Sequence, residues 1–315
     1  MRHLNIISIL ILTILCSCAP SSDNREQFNR FSQSDSNKFF ADPLVFYESD
    51  SLKPRLDLNI ELPIENISFQ KDYPNQIYLS KITLTVNVKN AANENIITKT
   101  YVETTSYNYK EIKEKSKGSQ FWFYNYSVIP GKYIVEVVVK DDSSNNFYKR
   151  VYDISAKDFK SLDISFSDLT ILSKVDVNPD GTKEITPHIN SNIFGLKEIF
   201  AFFEIYNNTG SEISKEYIVK PKDRYNSIIK EYTLSYSLLP GKNQKFESIF
   251  INKELMNYIQ KENNPDTYWQ NSSQRPFFNL EVLNKANNIV VAEKKLMFFP
   301  DKLPPEMMNR PPPRR

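Results

Sequence analysis

The feature that most constrains this chain is an alternation of apolar and polar residues that recurs along much of its length. The clearest examples are Leu56, Leu58, Ile60 and Leu62, followed by Ile82, Leu84, Val86 and Val88. A period of two places successive side chains on opposite faces of an extended backbone, so each run predicts a strand that is buried on one face. The chain is therefore expected to fold mainly as β-sheet.

Turn signals divide these runs into short strands. Further strands are predicted at residues 96–105, 121–128, 133–139, 199–206, 278–283 and 289–298. The tripeptide Pro130-Gly131-Lys132 predicts a turn, and Pro-Gly-Lys returns at residues 240–242, 110 positions later. Short strands at this spacing predict an all-β protein built of two tandem antiparallel β-sandwich modules of the Ig-like type, the second a weak repeat of the first.

The predicted modules occupy residues 43–160 and 161–300. The second carries an insertion at residues 252–276, in which residues 253–259 have helical spacing and predict a short helix. Residues 19–42 are mostly Ser, Asn, Gln, Asp and Arg, so residues 18–42 are expected to form a flexible tether. Residues 301–315 form a Pro-rich tail, which is expected to be disordered.

The first residues have the layout of a secretory leader. A basic start at Arg2 and His3 precedes an apolar run of about twelve residues from Leu4 to Leu15. A membrane-spanning helix needs about 20 apolar residues. Residues 1–17 are therefore predicted to be a cleaved signal peptide rather than a permanent anchor.

The residues before the expected cleavage point, Leu15-Cys16-Ser17, resemble the bacterial lipobox, and Cys18 follows them. The alternative is an ordinary secreted protein with a chance cysteine, but both cysteines of the chain lie in this segment. The resemblance implies acylation, for example by palmitate, at the Cys18 thiol, which would hold the chain on the membrane. No Asp directly follows Cys18 and no acidic cluster lies nearby, which by the same resemblance favours the outer membrane, facing the periplasm.

Charge and composition exclude several kinds of partner. The chain has 40 Lys plus Arg against 38 Asp plus Glu, and loss of residues 1–17 leaves 39 against 38 because only Arg2 is removed. Such a balance does not predict nucleic-acid binding. With only 6 Gly, the sequence also lacks the Gly-rich loops that cradle phosphates, and no cofactor is predicted.

Side chains suited to catalysis are scarce. After cleavage, His188 is the single histidine, and any histidine-based metal site or catalytic triad would depend on it; it is interpreted as a loop residue at a sandwich edge. Residues 141–146 and 176–181 are rich in Asp and Asn, but they are interpreted as turns rather than Ca2+ sites. Neither a metal site nor an enzyme is predicted, although paired carboxylates of the glycosidase kind are left open.

One strand is unusually aromatic. Phe121 and Phe123 share one face of residues 121–126, and Trp122, Tyr124 and Tyr126 share the other. The second set is either core packing, which is the favoured interpretation, or a platform for a sugar ring or a protein partner.

Several segments together resemble the N-terminal region of the GWxTD-domain lipoproteins of Bacteroidota and related bacteria. The matching pieces are residues 162–172, which are similar to an "iSDi-l" stretch between modules, residues 204–207 (Glu-Ile-Tyr-Asn), and residues 130–141. The resemblance covers about 250 residues. The sequence departs from the family at its name-giving motif, because neither Trp122 nor Trp269 has the Gly before it or the Thr-Asp after it. Nothing that depends on the GWxTD domain is carried over.

These observations lead to two hypotheses. The first is a non-enzymatic binding or scaffolding lipoprotein of the cell envelope, with the membrane and an envelope protein as its partners. The alternative is a carbohydrate-binding or carbohydrate-processing β-sandwich protein. An exposed Trp122 with carboxylates facing across a cleft would favour the second hypothesis, and a buried Trp122 without a cleft would favour the first.

Overall fold

The computed structural model describes residues 39–48, 53–193, 196–223, 228, 230–250 and 277–297. Of these residues, 68% lie in strands and 5% are helical. All pairings between the named strands are antiparallel, which confirms the predicted all-β class and the β-sandwich modules. The predicted leader, Cys18, most of the tether, the insertion at 252–276 and the tail lie outside the described residues.

The described residues of the first module form eight strands and one helix. They are β1 (Phe40–Glu48), β2 (Lys53–Pro63), β3 (Gln70–Asp72), β4 (Ile77–Asn90), β5 (Asn95–Tyr107), α1 (Tyr109–Lys115), β6 (Ser119–Ser127), β7 (Gly131–Asp141) and β8 (Asn146–Ala156), with a 3-10 turn at Ile64–Asn66. Sheet 1 has the order β1-β2-β6. Sheet 2 has the order β5-β4-β7-β8, and β3 pairs with the start of β4.

The period-two runs form the core of this module. Leu58 and Ile60 of β2, and Val86 and Val88 of β4, are fully buried, and the polar residues between them face outward. Val135, on β7, is buried in the same cluster. The two sheets are thus held face to face by the side chains whose alternation is visible in the sequence.

Two elements of the first module differ from the sequence interpretation. β1 begins at Phe40, inside the segment assigned to the tether, because Phe39 and Ala41 are buried in the core. Helix α1 was not expected. It begins after Asn108, whose side chain accepts the Glu111 N–H at 2.9 Å while the Glu111 carboxylate accepts the Asn108 N–H at 2.8 Å. This reciprocal cap stabilises a helix with no buried residue, which hydrophobic periodicity does not detect.

Nine strands lie in the described part of the second module. They are β9 (Ile164–Phe166), β10 (Thr170–Val177), β11 (Lys183–Pro187), β12 (Glu198–Asn207), β13 (Ile213–Asp223), β14 (Tyr232–Leu238), β15 (Gly241–Phe250), β16 (Phe277–Asn284) and β17 (Val290–Met297). Sheet 3 has the order β11-β10-β12-β15, and β9 also pairs with β12. Sheet 4 has the order β14-β13-β16-β17. Phe203 and Ile205 of β12 pack between the sheets with Tyr217 and Leu280.

The repeated Pro-Gly-Lys turns have equivalent positions in the two modules. Gly131 begins β7 and Gly241 begins β15, and each turn carries the chain from one sheet of its sandwich to the other. The repeat is partial. β5 forms a hairpin with β4 in sheet 2, whereas β13 leaves β12 and joins sheet 4.

Candidate functional site

The modules meet where sheet 1 and sheet 3 turn their outer faces toward each other. Leu44 and Phe46 of β1 form a small buried cluster with Leu172 of β10 and Phe202 of β12. The Phe46 and Phe202 rings are stacked with centroids 6.1 Å apart. Apolar residues at outward positions of these strands are thus buried by the other module rather than by their own sandwich.

Three aromatic rings extend this contact. Tyr47 of β1, Phe159 of the segment between the modules, and Tyr206 of β12 have ring centroids 5.2 to 5.6 Å apart. The Tyr47 N–H donates to the Tyr206 hydroxyl at 2.9 Å, and that hydroxyl donates to the Glu204 carboxylate. Burial and the neighbouring Glu204 charge raise the pKa of Tyr206, so the hydroxyl stays protonated and able to donate.

Asp168, in the stretch that resembles the "iSDi-l" motif, joins β1 to the second module. Its side chain accepts the Val45 N–H at 2.8 Å, and its own N–H donates to the Val45 carbonyl at 2.9 Å. Ser167 exchanges bonds with Glu204 of β12 in the same way, through its N–H at 3.0 Å and its hydroxyl at 2.8 Å. Burial raises the pKa of Asp168, and the Lys157 ammonium, 3.9 Å from the carboxylate, opposes this rise.

An ion pair lies beside this contact. The Asp42 carboxylate of β1 pairs with the Lys294 ammonium of β17, and both side chains are largely buried. Burial raises the pKa of Asp42, and the attraction of Lys294 opposes the rise. A buried pair of this kind is weak evidence for stability, but it fixes which part of β17 faces β1.

These contacts border a cleft of about 530 Å3, a volume within the usual range for ligand sites. Its walls are formed by three strands and two connecting segments. They are residues 43–44 of β1, 153–155 of β8, 290–294 of β17, Lys157 after β8, and residues 168–169 between β9 and β10. The apolar part of the lining includes Leu44 and Leu169, and its charged part includes carboxylates and ammonium groups from both modules. This cleft is the candidate functional site.

The aromatic residues suggested by the sequence lie elsewhere. Trp122, Tyr124 and Tyr126 of β6 point toward the core of the first module: Tyr126 is buried, and the other two pack against the same cluster. The Tyr124 ring stacks on Tyr101 of β5 with centroids 3.9 Å apart, and the hydroxyls of Tyr101 and Tyr126 are 3.1 Å apart. The rings stand between the edge strands of the two sheets, so the possible ligand-facing set is used for packing.

The outward aromatics of β6 are instead Phe121 and Phe123, which are 44% and 56% exposed. Sequence alternation separates the two faces of β6 but does not say which face is covered. That choice follows from the register with β2, in which Trp122 lies opposite Ile60 and Tyr124 opposite Leu58.

The remaining sequence candidates have structural partners. His188 follows β11, and its Nε2 lies 2.7 Å from the Asn192 carbonyl oxygen, while burial lowers the pKa of the ring. The Asp141 carboxylate accepts the N–H groups of Ser68 and Ser143, and the residues after it form the β7–β8 turn. The Asp180 carboxylate accepts the Thr182 N–H in the β10–β11 turn.

The residues that build the cleft were not found from the sequence. Asp42 belonged to the predicted tether and Asp168 to the family resemblance, and neither was singled out for chemistry. No group of three His, Cys, Asp or Glu side chains suited to a metal occurs among the residues that the structure describes. Over the same residues, no helix has the length and apolar content needed to cross a lipid bilayer.

No family model and no curated protein matches the chain. Among solved structures, a calcium-binding mutant of Bacteroides uniformis beta-glucuronidase 2 is similar to 80% of this chain at 8% identity and a TM-score of 0.25. Red sea bream transglutaminase is similar to 90% of it at 8% identity and a TM-score of 0.23. A glycosyl hydrolase family 2 member from Bacteroides cellulosilyticus is similar to 77% at 7% identity and a TM-score of 0.26.

The matched part is 27%, 34% and 28% of those three chains, respectively. At these TM-scores and identities, the likenesses carry no inference about the function of this protein.

Proposed function

We propose that this protein is a lipid-anchored binding protein of the cell envelope, tethered through Cys18 and related to the N-terminal region of the GWxTD-domain lipoproteins. It acts without catalysis and holds an envelope protein in the cleft between its modules. The site of action is the periplasmic side of the outer membrane. The membrane part of this proposal comes from the leader and the lipobox-like residues before Cys18.

The observation that carries the binding part is the construction of the cleft. Its walls come from β1, β8 and β17, which belong to three different sheets. The segments around it are fixed by the Asp168–Val45 bonds and the Asp42–Lys294 pair. A cleft that is already formed loses less conformational entropy when a ligand binds.

Carbohydrate binding or processing is the second candidate. It is favoured by the carboxylates that line the cleft, Asp153, Asp168 and Glu293, since paired carboxylates are the groups that glycosidases use. The packed position of Trp122 is an argument against a sugar platform on β6.

Site-specific crosslinking in the cells of origin tests the proposal. A photo-crosslinking residue at Ser155, in the cleft wall, is expected to give one discrete adduct with an envelope protein, identified by mass spectrometry. The matched control is the same residue at Thr104 of β5, which is also exposed on an edge strand but lies outside the cleft. Adducts from both positions, or from neither, would contradict binding in the cleft.

An activity assay separates the two candidates. The purified protein is expected to leave glycans of the envelope unchanged. Turnover of a glycan that disappears in Asp153→Asn or Glu293→Gln would overturn the non-enzymatic proposal, because both side chains are exposed and their replacement should leave the fold intact.

A further inference from the structure

Three edge strands converge on the cleft. β1 is an edge of sheet 1, β8 of sheet 2 and β17 of sheet 4. An edge strand presents N–H and C=O groups that another extended chain can bond, so each edge is either closed by the protein or available to a partner. Their hydrogen bonds show which case applies to each strand.

The edge of β1 is closed. Pro43 has no N–H to offer, the N–H and C=O of Val45 are bonded to Asp168, and the Tyr47 N–H is bonded to the Tyr206 hydroxyl. The outward positions from Pro43 to Tyr47 therefore offer no free N–H to a partner.

The edge of β8 is open at the cleft. The Asp142 N–H donates to the Lys81 carbonyl, so the backbone of Asp142 points toward β4. Because backbone groups alternate in direction along a strand, Asp141 and every second residue before it in β7 point toward β8 and bond to it. Their partners in β8 are the even-numbered residues from Asn146 to Ile154. The backbones of Asp153 and Ser155 consequently point to the free side, and within the described residues their N–H and C=O groups have no protein partner.

The edge of β17 is closed at Met297 but open at the cleft, at Glu293. The Met297 N–H donates to the Ser191 carbonyl, and the Met297 carbonyl accepts the Ile193 N–H, so the backbone of Met297 points away from β16. Backbone direction alternates along β17, so the backbones of Lys295 and Glu293 also point away from β16. The irregular pairing in this ladder, at Val282 and Leu283, comes after the Glu281–Glu293 pair and does not change this alternation. No partner for the Glu293 backbone occurs in the described part of the chain.

The unpaired charged side chains at the open edges of β8 and β17 are all acidic. Asp153 and Glu293 are exposed, and neither forms an ion pair with a described residue. The two ammonium groups of the cleft are already placed, Lys294 against Asp42 and Lys157 near Asp168. The side chains left without a counter-charge are therefore acidic.

We infer that the cleft takes an extended, basic polypeptide segment of a protein partner, which adds as a strand to the open edges of β8 and β17. This rests on the proposed binding function and names the chemistry of its ligand. Backbone bonds to the groups of Ser155 and Glu293 would supply affinity. Alternate side chains would contact the accessible apolar lining at Val290 and Val291, and basic side chains would pair with Asp153 and Glu293.

Fluorescence anisotropy with the mature full-length protein in detergent tests the inference. The probe is a labelled peptide of alternating Lys and Val, about ten residues long, which is within the usual length of a strand. The same peptide with alternate backbone nitrogens methylated is expected to bind at least about tenfold more weakly, because it has lost the donors along one edge. A Glu-Val peptide is expected to bind more weakly than the Lys-Val peptide by a similar factor.

Protein variants supply the second arm. Ser155→Pro removes the outward N–H from β8 and is expected to weaken binding about tenfold, whereas Thr104→Pro, at an outward position of the β5 edge, is expected to have no effect. The double variant D153K/E293K should reverse the preference in favour of the Glu-Val peptide. Circular dichroism checks that each variant is folded, and the methylated peptide provides a test that leaves the protein unaltered.

Equal binding of the methylated and unmethylated peptides would overturn strand addition, and equal binding of the basic and acidic peptides would overturn the charge preference. If either result accompanies a discrete crosslink from Ser155, the cleft remains a binding site and only its ligand class is wrong. If the crosslink from Ser155 is also absent, the proposed function fails as well.

Discussion

Asp168 makes with Val45 the two bonds that a neighbouring strand would make, one through its side chain and one through its own N–H. Tyr206 supplies a third bond along the same edge, to the Tyr47 N–H. At the scale of single residues, the contact between the modules therefore depends on side chains that substitute for backbone. The bond to Val45 is the more sensitive to substitution, because Val45 is buried and its N–H cannot be satisfied by water instead.

The first prediction concerns the Asp168 side chain. Asp168→Ala leaves the Val45 N–H without an acceptor and is expected to lower the free energy of unfolding by about 1 to 3 kcal/mol. Asp153→Ala, a nearby exposed carboxylate, is the matched control and should change it by less than about 0.5 kcal/mol. Urea unfolding measures both, and equal effects would show that the Asp168–Val45 bond contributes nothing.

The second prediction concerns pH. Burial raises the pKa of Asp168 above its ordinary value of 3.8. In the interval between the ordinary and the raised pKa, the folded state binds more protons than the unfolded state, so the contribution of this group to stability is lost as pH rises through the raised pKa. Asp168→Asn removes that dependence. The difference in unfolding free energy, wild type minus variant, is expected to increase as pH is lowered from 7 to about 4.

A series of urea titrations across this interval measures the difference. A difference that shrinks on acidification would mean that the folded state holds the carboxylate with a lowered pKa.

At the scale of elements, the segment between the modules acts through one ring. Phe159 is 2% exposed and lies against Tyr47 of β1 and Tyr206 of β12, so it is packed by a strand from each module. The segment that links the modules in sequence therefore also packs against both of them, at Phe159. Phe159 thus fixes the segment to both modules, while the residues on either side of it, 157–158 and 160–163, are exposed.

The third prediction follows from this packing. Phe159→Ala is expected to lower the free energy of unfolding by about 3 to 5 kcal/mol, the usual cost of removing a buried aromatic ring. The control is Phe123→Ala, where the ring is 56% exposed and the expected change is below about 0.5 kcal/mol. Thermal or urea unfolding would contradict the prediction if both variants behaved alike.

The sequence predicted those elements whose signal lies within a few consecutive residues. The alternation in β2 and β4 identified residues that are buried in the structure, such as Leu58 and Val86, and the Pro-Gly-Lys turns marked the starts of β7 and β15. It missed α1, whose only signal is the pair Asn108 and Glu111 at capping distance.

The cleft could not be predicted from the sequence, because it forms between the two modules. Leu44, Phe46 and Phe202 lie at outward positions of their strands, and what covers them is the other module. No periodicity within one strand encodes that contact. The two faces of β6 were separated correctly, but the buried face was decided by the register with β2, which a single strand does not carry.

At the scale of the whole molecule, polar and apolar contacts between described residues both connect the modules. The Asp42–Lys294 pair and the Asp168–Val45 bonds border the cleft, and the Leu44–Phe202 cluster lies between sheets 1 and 3. A ligand in the cleft would touch both modules. Its binding is therefore expected to depend on their relative placement.

The fourth prediction concerns attachment of the whole molecule to the membrane. Cys18 is expected to carry the lipid, because Leu15, Cys16 and Ser17 before it resemble a lipobox. Metabolic labelling with an alkyne fatty acid should mark the protein in its own cells, and Cys18→Ser should lose the mark while Cys16→Ser keeps it. A wild-type protein found unmodified in the periplasmic fraction would contradict this prediction.

The position of β1 has a mechanical consequence for a chain anchored at Cys18. Tension arriving from the membrane would reach β1, at Phe40, before the other strands that the structure describes, and β1 is held to β2 over nine residue pairs, from Phe40–Glu61 to Glu48–Lys53. A pull along the strand loads all of these pairs in shear, whereas a pull across the sheet would open them one at a time. Because Val45 and Tyr47 are also bonded to Asp168 and Tyr206, part of that force passes directly into the second module.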